Sequence, residues 1–208
     1  FLSHLFILNT GRTGQVLAVA MLALLMFQIW RWKGVLVGAL AAVLLIAGAW
    51  FGSAQFQQRI HVGANDLQQY QEGESRNSLG ARLDFWSNSL KIIQDAPLAG
   101  HGTASLKAIY PAYASANGWL TDNPHNEFLM VTIQWGVLAL LLLLAFFIAA
   151  WRASGRLAPE AAAIMHGVLL AYALGSLFNS LLLDHREGMM FALLIGLLLA
   201  WRAEPAST

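Results

Sequence analysis

Four side chains of this 208-residue sequence have the chemistry of an anion site with a proton acceptor beside it: Arg12, Arg82, His125 and Asp184. A guanidinium carries charge and a planar fork of donors, which matches a diphosphate or a carboxylate bidentately. An imidazole takes up a proton near neutral pH. A carboxylate such as Asp184 orients one of the arginines, or forms a plain ion pair with it or with Arg186. Together they suit a transfer reaction on an anionic, membrane-held substrate. Metal hydrolysis fits poorly, because no His-Glu-x-x-His or Asp-x-Asp pattern is present and Asp122 with His125 is too sparse a ligand set. With no Cys there is no disulfide, thiolate metal site or cysteine nucleophile. Neither a metal nor an organic cofactor is expected.

The elements that must position these groups follow from where charge is missing. Only 12 Lys plus Arg and 11 Asp plus Glu occur, 11% of the chain, against 58% hydrophobic residues. A soluble domain usually carries about a quarter charged residues. Charge-free runs cover 13–30, 34–58, 128–151, 161–183 and 188–201. A membrane span needs about 20 apolar residues, so three qualify outright, the first narrowly, and the last is short. A buried bundle of a soluble protein would keep a polar stripe towards water, and 138–151 has none. A secretory signal is excluded for 13–30, since no cleavage pattern follows it.

The sequence thus predicts an all-α, polytopic membrane protein fragment of about five transmembrane helices. Residues 1–58 hold the end of one apolar segment (Phe1 to Asn9) and two spans, 59–127 form one long loop with amphipathic helices, and 128–208 hold three spans and a short tail. Arg31 and Lys33, Arg152 and Arg156, and Arg202 sit in the connections that the positive-inside rule makes cytoplasmic. Arg12, Arg82, His125 and Asp184 then share the opposite side. Gly34 with Gly38, and Gly48 with Gly52, have the spacing of close helix packing. A net charge of +1 gives no reason to expect nucleic acid.

The loop holds 12 of the 23 charges. Gln55–Arg76 reads as solvated loop. Leu79, Leu83, Trp86, Leu90 and Ile93 then recur at helical steps, with Asn77 or Ser78 as N-cap, and this helix could lie along a membrane surface. Arg82 flanks the stripe, where anion binding and simple snorkelling both remain open. Pro97 to Thr103 is a Gly-rich turn before a helix at 103–110; it lacks the P-loop pattern, and an ordinary turn explains it. Asn123 suits an N-cap and Pro124 a first helical position, which puts His125 in the first turn of the third span, near the positive end of the helix dipole. Ser176, Ser180 and Asp184, with Asn179 adjacent, are expected as a polar track on one face of the fourth span, aimed into the bundle.

Three motifs carry a resemblance: Thr10-Gly11-Arg12-Thr13-Gly14 before a span; Arg82-Leu83-Asp84-Phe85-Trp86 followed by Pro97-Leu98-Ala99-Gly100-His101-Gly102; and His125-Asn126-Glu127-Phe128-Leu129 with Gly136 ten residues after Asn126. The chain resembles the O-antigen ligase family of bacterial inner-membrane glycosyltransferases, a superfamily that includes O-antigen polymerases and pilin-type protein O-oligosaccharyltransferases. Ala139 stands where many members carry a second Gly, Thr or Tyr, which loosens a packing argument more than a chemical one. The resemblance implies about a dozen transmembrane helices in the whole protein, a large periplasmic loop, a glycan donor on undecaprenyl diphosphate and, in ligases, a lipid A-core acceptor. By similarity Arg12 and Arg82 would hold the diphosphate, His125 would take the acceptor proton, and Asp184 and Asn126 would support the site. The same donor half serves a polymerase or a protein-directed enzyme. A non-enzymatic transporter of an anionic lipid-linked substrate, and a structural subunit, are the readings from other classes; transporter sites usually lie near the midplane.

Overall fold

The computed structural model describes residues 12–72, 77–115 and 118–201, and every regular element among them is helical. The expectations for Phe1–Asn9, for Thr10 and Gly11 and for Arg202 lie outside the described residues. The chain divides into two compact units, one up to Asn65 and one from Asp66 onward. Two stretches are long and apolar enough to cross a membrane, Val16–Gly52 and Glu127–Arg156, and Pro159–Gly175 is a shorter apolar helix.

In the first unit, α1 (Arg12–Gly52) is interrupted at Arg31, whose φ of 55° and ψ of −138° leave the helical path. The chain folds back there. Gly38 lies 3.6 Å from Met26 Cβ and 3.8 Å from Ala23 Cα, measured from the Cβ it lacks; in one straight helix Ala23 and Gly38 would be about 22 Å apart. At Gly34 a Cβ would stand 1.9 Å from the Met26 carbonyl oxygen. The Gly34 and Gly38 pair therefore packs a helix hairpin closely, whereas Gly48 and Gly52 have nothing within 4 Å. The reversal falls at the charged Arg31 and Lys33, between the two charge-free runs.

Of the stretch read as solvated loop, residues 55–71 belong instead to α2 (Ala54–Gln71), and 73–76 lie outside the described residues. Its polarity described its solvent, while its Gln, Ala and Leu content favours helix. Gln57 Nε2 donates to Trp50 O at 2.7 Å and Gln68 Nε2 to Glu72 Oε1 at 3.1 Å.

In the second unit, α3 (Ser78–Asp95) starts where expected, with Asn77 Oδ1 accepting from Gly80 N at 2.7 Å. Its buried face differs from the apolar stripe: Gly80, Asp84, Phe85, Asn88, Ser89 and Ile92 are inside, and Leu90 is exposed. Phe85 and Ile92 pack with Leu106, Tyr110 and Ile133 into one core. Tyr110 is fully buried and its hydroxyl accepts from Asn88 Nδ2 at 3.3 Å. Burial, against that bond and with help from Asp84, pushes the phenol above its ordinary value. The helix expected at 103–110 shrinks to α4 (Leu106–Ile109) and a 3-10 turn at Tyr110–Ala112, because the preceding turn is used elsewhere.

That use is the break of α5 (Glu127–Ala153) at Gly136, where φ is 77° and ψ −179°. The interruption frees carbonyls of the preceding turn, and the 97–104 loop fills the gap. His101 N donates to Ile133 O at 2.8 Å, Gly102 N to Gln134 O at 2.9 Å, and Val137 N to Pro97 O at 2.8 Å. Ala104 N adds a bond to Gln134 Oε1 at 3.1 Å. The backbones approach so closely that a Cβ at Gly136 would meet Leu98 O at 1.9 Å. Before the break α5 is largely buried; after it Leu138, Leu141, Leu142 and Ile148 are exposed.

The expected fourth span, 161–183, ends early. α6 (Pro159–Gly175) stops at Ser176, and residues 176–184 turn before α7 (His185–Ala200). A second core joins Ala150, Leu157, Ala161, Met165, Leu169 and Phe191.

Replacing Gly136 by Ala forces a left-handed backbone on a side chain that has no room. We expect about 3–5 kcal/mol of destabilisation, read as thermal unfolding of the detergent-solubilised protein. Gly48→Ala, in open helix, changes stability by less than about 1 kcal/mol, towards greater stability.

Candidate functional site

His125 sits in the turn before α5 and not in its first turn. Asn126 is the N-cap, its Oδ1 accepting from Leu129 N at 3.1 Å, and the helix begins at Glu127. The shift has a local cause. Asn123, expected as the cap, spends its Oδ1 on His125 N at 2.8 Å and on Ser180 Oγ at 2.8 Å. His125 itself has φ of 52°, the left-handed region that a β-carbon disfavours. Such a conformation persists where the surroundings impose it. Here Trp86 Nε1 holds Pro124 O at 3.0 Å from one side, and Thr121 Oγ1 binds Asn123 O at 2.6 Å from the other. The dipole argument built on a first-turn histidine gives way to this turn geometry.

The imidazole is half-buried. Its Nδ1 is 3.3 Å from Asn179 Oδ1, and its face lies against Phe85 with ring centroids 6.3 Å apart and planes 29° from parallel. An amide oxygen only accepts, so in the neutral tautomer that donates to it from Nδ1 the lone pair is on Nε2. Nε2 has no protein partner among the described residues. His125, Phe85 and Trp119 line an open pocket of about 380 Å³.

The polar track expected on a helix face is a turn that wraps the histidine loop. Ser176 is buried and its carbonyl accepts Glu127 N at 2.8 Å; Ser180 is buried and binds Asn123. Asn126 Nδ2 donates to Leu177 O at 3.1 Å. Glu127, 1% exposed, accepts Leu182 N at 2.8 Å and Leu183 N at 3.4 Å on Oε2, while its Oε1 has no partner among the described residues. Residues 123–127 and 176–183 therefore clasp each other through both backbones.

Of the site residues expected from sequence, His125 and Asn126 are brought together, with Asn126 buried in a structural capping role. Arg82 is half-buried on α3, one turn after Ser78 and three residues before Phe85, both of which line the cavity. It flanks that wall without lining it. Asp184 is exposed at the N-cap of α7 and its carboxylate pairs with no arginine among the described residues. A carboxylate there is favoured by the helix dipole. Arg12 is the first residue of α1 and belongs to the first unit. No three His, Asp or Glu side chains gather as a metal site among the described residues. Asn179, Glu127 and Phe85 enter as residues whose roles sequence reasoning missed. Asn179 had only its place beside the serine pair to recommend it, and Glu127 its place in the histidine motif.

Glu127→Ala would strand the Leu182 amide and part of the clasp. An unsatisfied buried donor costs about 1–3 kcal/mol, so the unfolding temperature should fall by about 3–10 °C. Glu127→Gln, which keeps an accepting oxygen, should lose less than half of that.

Residues 1–144 match the family model described as O-antigen ligase. A curated protein of Haemophilus influenzae (strain KW20 / Rd), described as uncharacterized, is 35% identical over 74 residues, which are 34% of this chain and 18% of that protein. The chain thus aligns with less than a fifth of that relative's length. The family match includes the arginine motif, α3 with its glycine-rich loop, and the histidine loop with Gly136. Matched over 144 of its 208 residues, with these motifs inside the match, the chain belongs to the O-antigen ligase family of glycosyltransferase-type membrane enzymes.

Proposed function

We propose that the chain is the catalytic part of an O-antigen ligase of the bacterial inner membrane, moving a glycan from undecaprenyl diphosphate to a lipid A-core hydroxyl on the periplasmic face. The observation that carries this reading is the His125 ring, which lines the pocket with Nδ1 on Asn179 and with Nε2 unpaired among the described residues. A base lining such a pocket serves an incoming hydroxyl. The two apolar stretches long enough to span a bilayer suit lipid-linked substrates.

In the proposed reaction the acceptor hydroxyl gives its proton to His125 Nε2 as its oxygen attacks the anomeric carbon. The bond from that carbon to the diphosphate oxygen breaks, and undecaprenyl diphosphate leaves with the electron pair. Negative charge grows on the bridging oxygen, where Arg82, and Arg12 by family similarity, would stabilise it. One preorganised donor of this kind is commonly worth about 3–4 kcal/mol in the transition state. A general base contributes about 10²–10⁴-fold in rate. Asn179 Oδ1, beside Nδ1, would orient the imidazole for that transfer. Asp184, at the start of α7, would support the cationic surface from the same side. A single displacement inverts the anomeric configuration, and with no paired-carboxylate nucleophile in the motifs that outcome is the expected one.

The test is transfer by the complete protein from a lipid-linked glycan to lipid A-core. His125→Ala should reduce transfer by at least about 10²-fold at normal protein level. Arg82→Lys should fail to restore it, since charge alone does not replace the bidentate fork. Unaltered surface glycan in either variant would overturn the reading in favour of a transporter or structural subunit. In cells, loss of a ligase leaves polymer on its lipid carrier; single repeats on the carrier would mark a polymerase, and unglycosylated pilin a protein-directed enzyme. An anomeric carbon with retained configuration would contradict the single displacement.

A further inference from the structure

The cavity beside His125 has walls of two kinds. Phe85 and Trp119 present aromatic surface, while Asn77, Ser78 and Thr121 bring amide and hydroxyl groups. Among the described residues that line it there is no Asp, Glu, Lys or Arg. Trp119 is 56% exposed, a large indole left open to solvent on the wall of a concave site. Asn77 and Thr121 are anchored by their own hydrogen bonds, Asn77 to Gly80 N and Asp66 O, Thr121 to both backbone groups of Asn123. The rim is therefore held before any ligand arrives.

A pyranose ring has matching faces. Its axial C–H bonds form an apolar face that stacks on an aromatic ring, and its hydroxyls lie around the edge, where short polar side chains reach them.

Resting on the ligase reading for the direction of transfer, we propose that this cavity is the acceptor subsite, binding one pyranose with its C–H face on Trp119 and its reacting hydroxyl towards His125 Nε2. The base then marks the inner end of the subsite and Trp119 its outer platform. Arg82, on the neighbouring flank of α3, stays free for the donor's diphosphate. Acceptor choice is in this way separated from donor binding.

The experiment uses the full-length protein in detergent, labelled with 5-fluorotryptophan, with the Trp119 resonance assigned by its loss in Trp119→Phe. Titration with delipidated core oligosaccharide should shift that resonance saturably, and equally in His125→Gln, where chemistry is stopped. In steady state, Trp119→Ala should raise KM for lipid A-core about tenfold, the scale of one lost ring contact, with kcat and the donor KM within about threefold. Trp119→Phe should retain most of the affinity. An acceptor KM unchanged in Trp119→Ala, or a resonance that answers short-chain phospholipid and not the saccharide, would overturn the subsite. If the saccharide shifts Trp119 but the wild-type protein transfers nothing to lipid A-core, the subsite stands and the ligase reading falls.

Discussion

The second unit depends on one broken helix. An unpaired backbone carbonyl inside a packed protein is costly, and the interruption of α5 at Gly136 releases two of them. The loop from Pro97 to Ala104 answers with the amides of His101 and Gly102, and Val137 returns a bond to Pro97. His101 Nε2 in addition meets Ile92 O at 2.8 Å, tying the same loop to α3. Neither segment is complete without the other. The glycine in the histidine motif and those in the upstream turn, 34 to 36 positions apart, are therefore two halves of one joint. Only a residue without a β-carbon allows Gly136 to take its φ of 77° beside Leu98.

From this joint the placement of the imidazole follows. α3 is fixed against the buried part of α5, and Trp86 on α3 holds the carbonyl of Pro124. On the other side the 176–183 turn takes Asn123, Asn126 and Glu127 into its own hydrogen bonds. His125 lies between, in a left-handed conformation that the two supports impose. The site is thus defined by segments far apart in sequence, and its rigidity comes from backbone groups more than from ion pairs.

Much of this was legible. The charge-free runs mark the apolar helices, and Arg31 with Lys33 marks the reversal within α1. Asn77 announces the start of α3, and the histidine motif falls inside the family match. What stayed hidden has physical causes. The Gln-rich run 54–71 is polar and helical at once, because polarity reports exposure and not backbone shape. The 161–183 run looks continuous, yet its last residues leave the helix to bond with the histidine loop, a tertiary demand that hydropathy does not register. The same demand removed Asn123 from its expected cap and moved His125 out of the helix. Asn179 could not be chosen over Ser176 or Ser180 from sequence, since their helical spacing was the wrong geometry for a turn.

The division of α5 at Gly136 also acts as a measure of height. On the near side the helix is surrounded by protein, and on the far side it shows leucines outward. Ten residues separate Asn126 from Gly136, about 15 Å of helix axis. The imidazole is held at one end of that rod and the oily surface begins at the other. Adding or deleting one residue in between would swing the histidine by about 100° around the axis and shift its level by about 1.5 Å. The length between motif and glycine therefore fixes how far the imidazole stands from the greasy half of the rod.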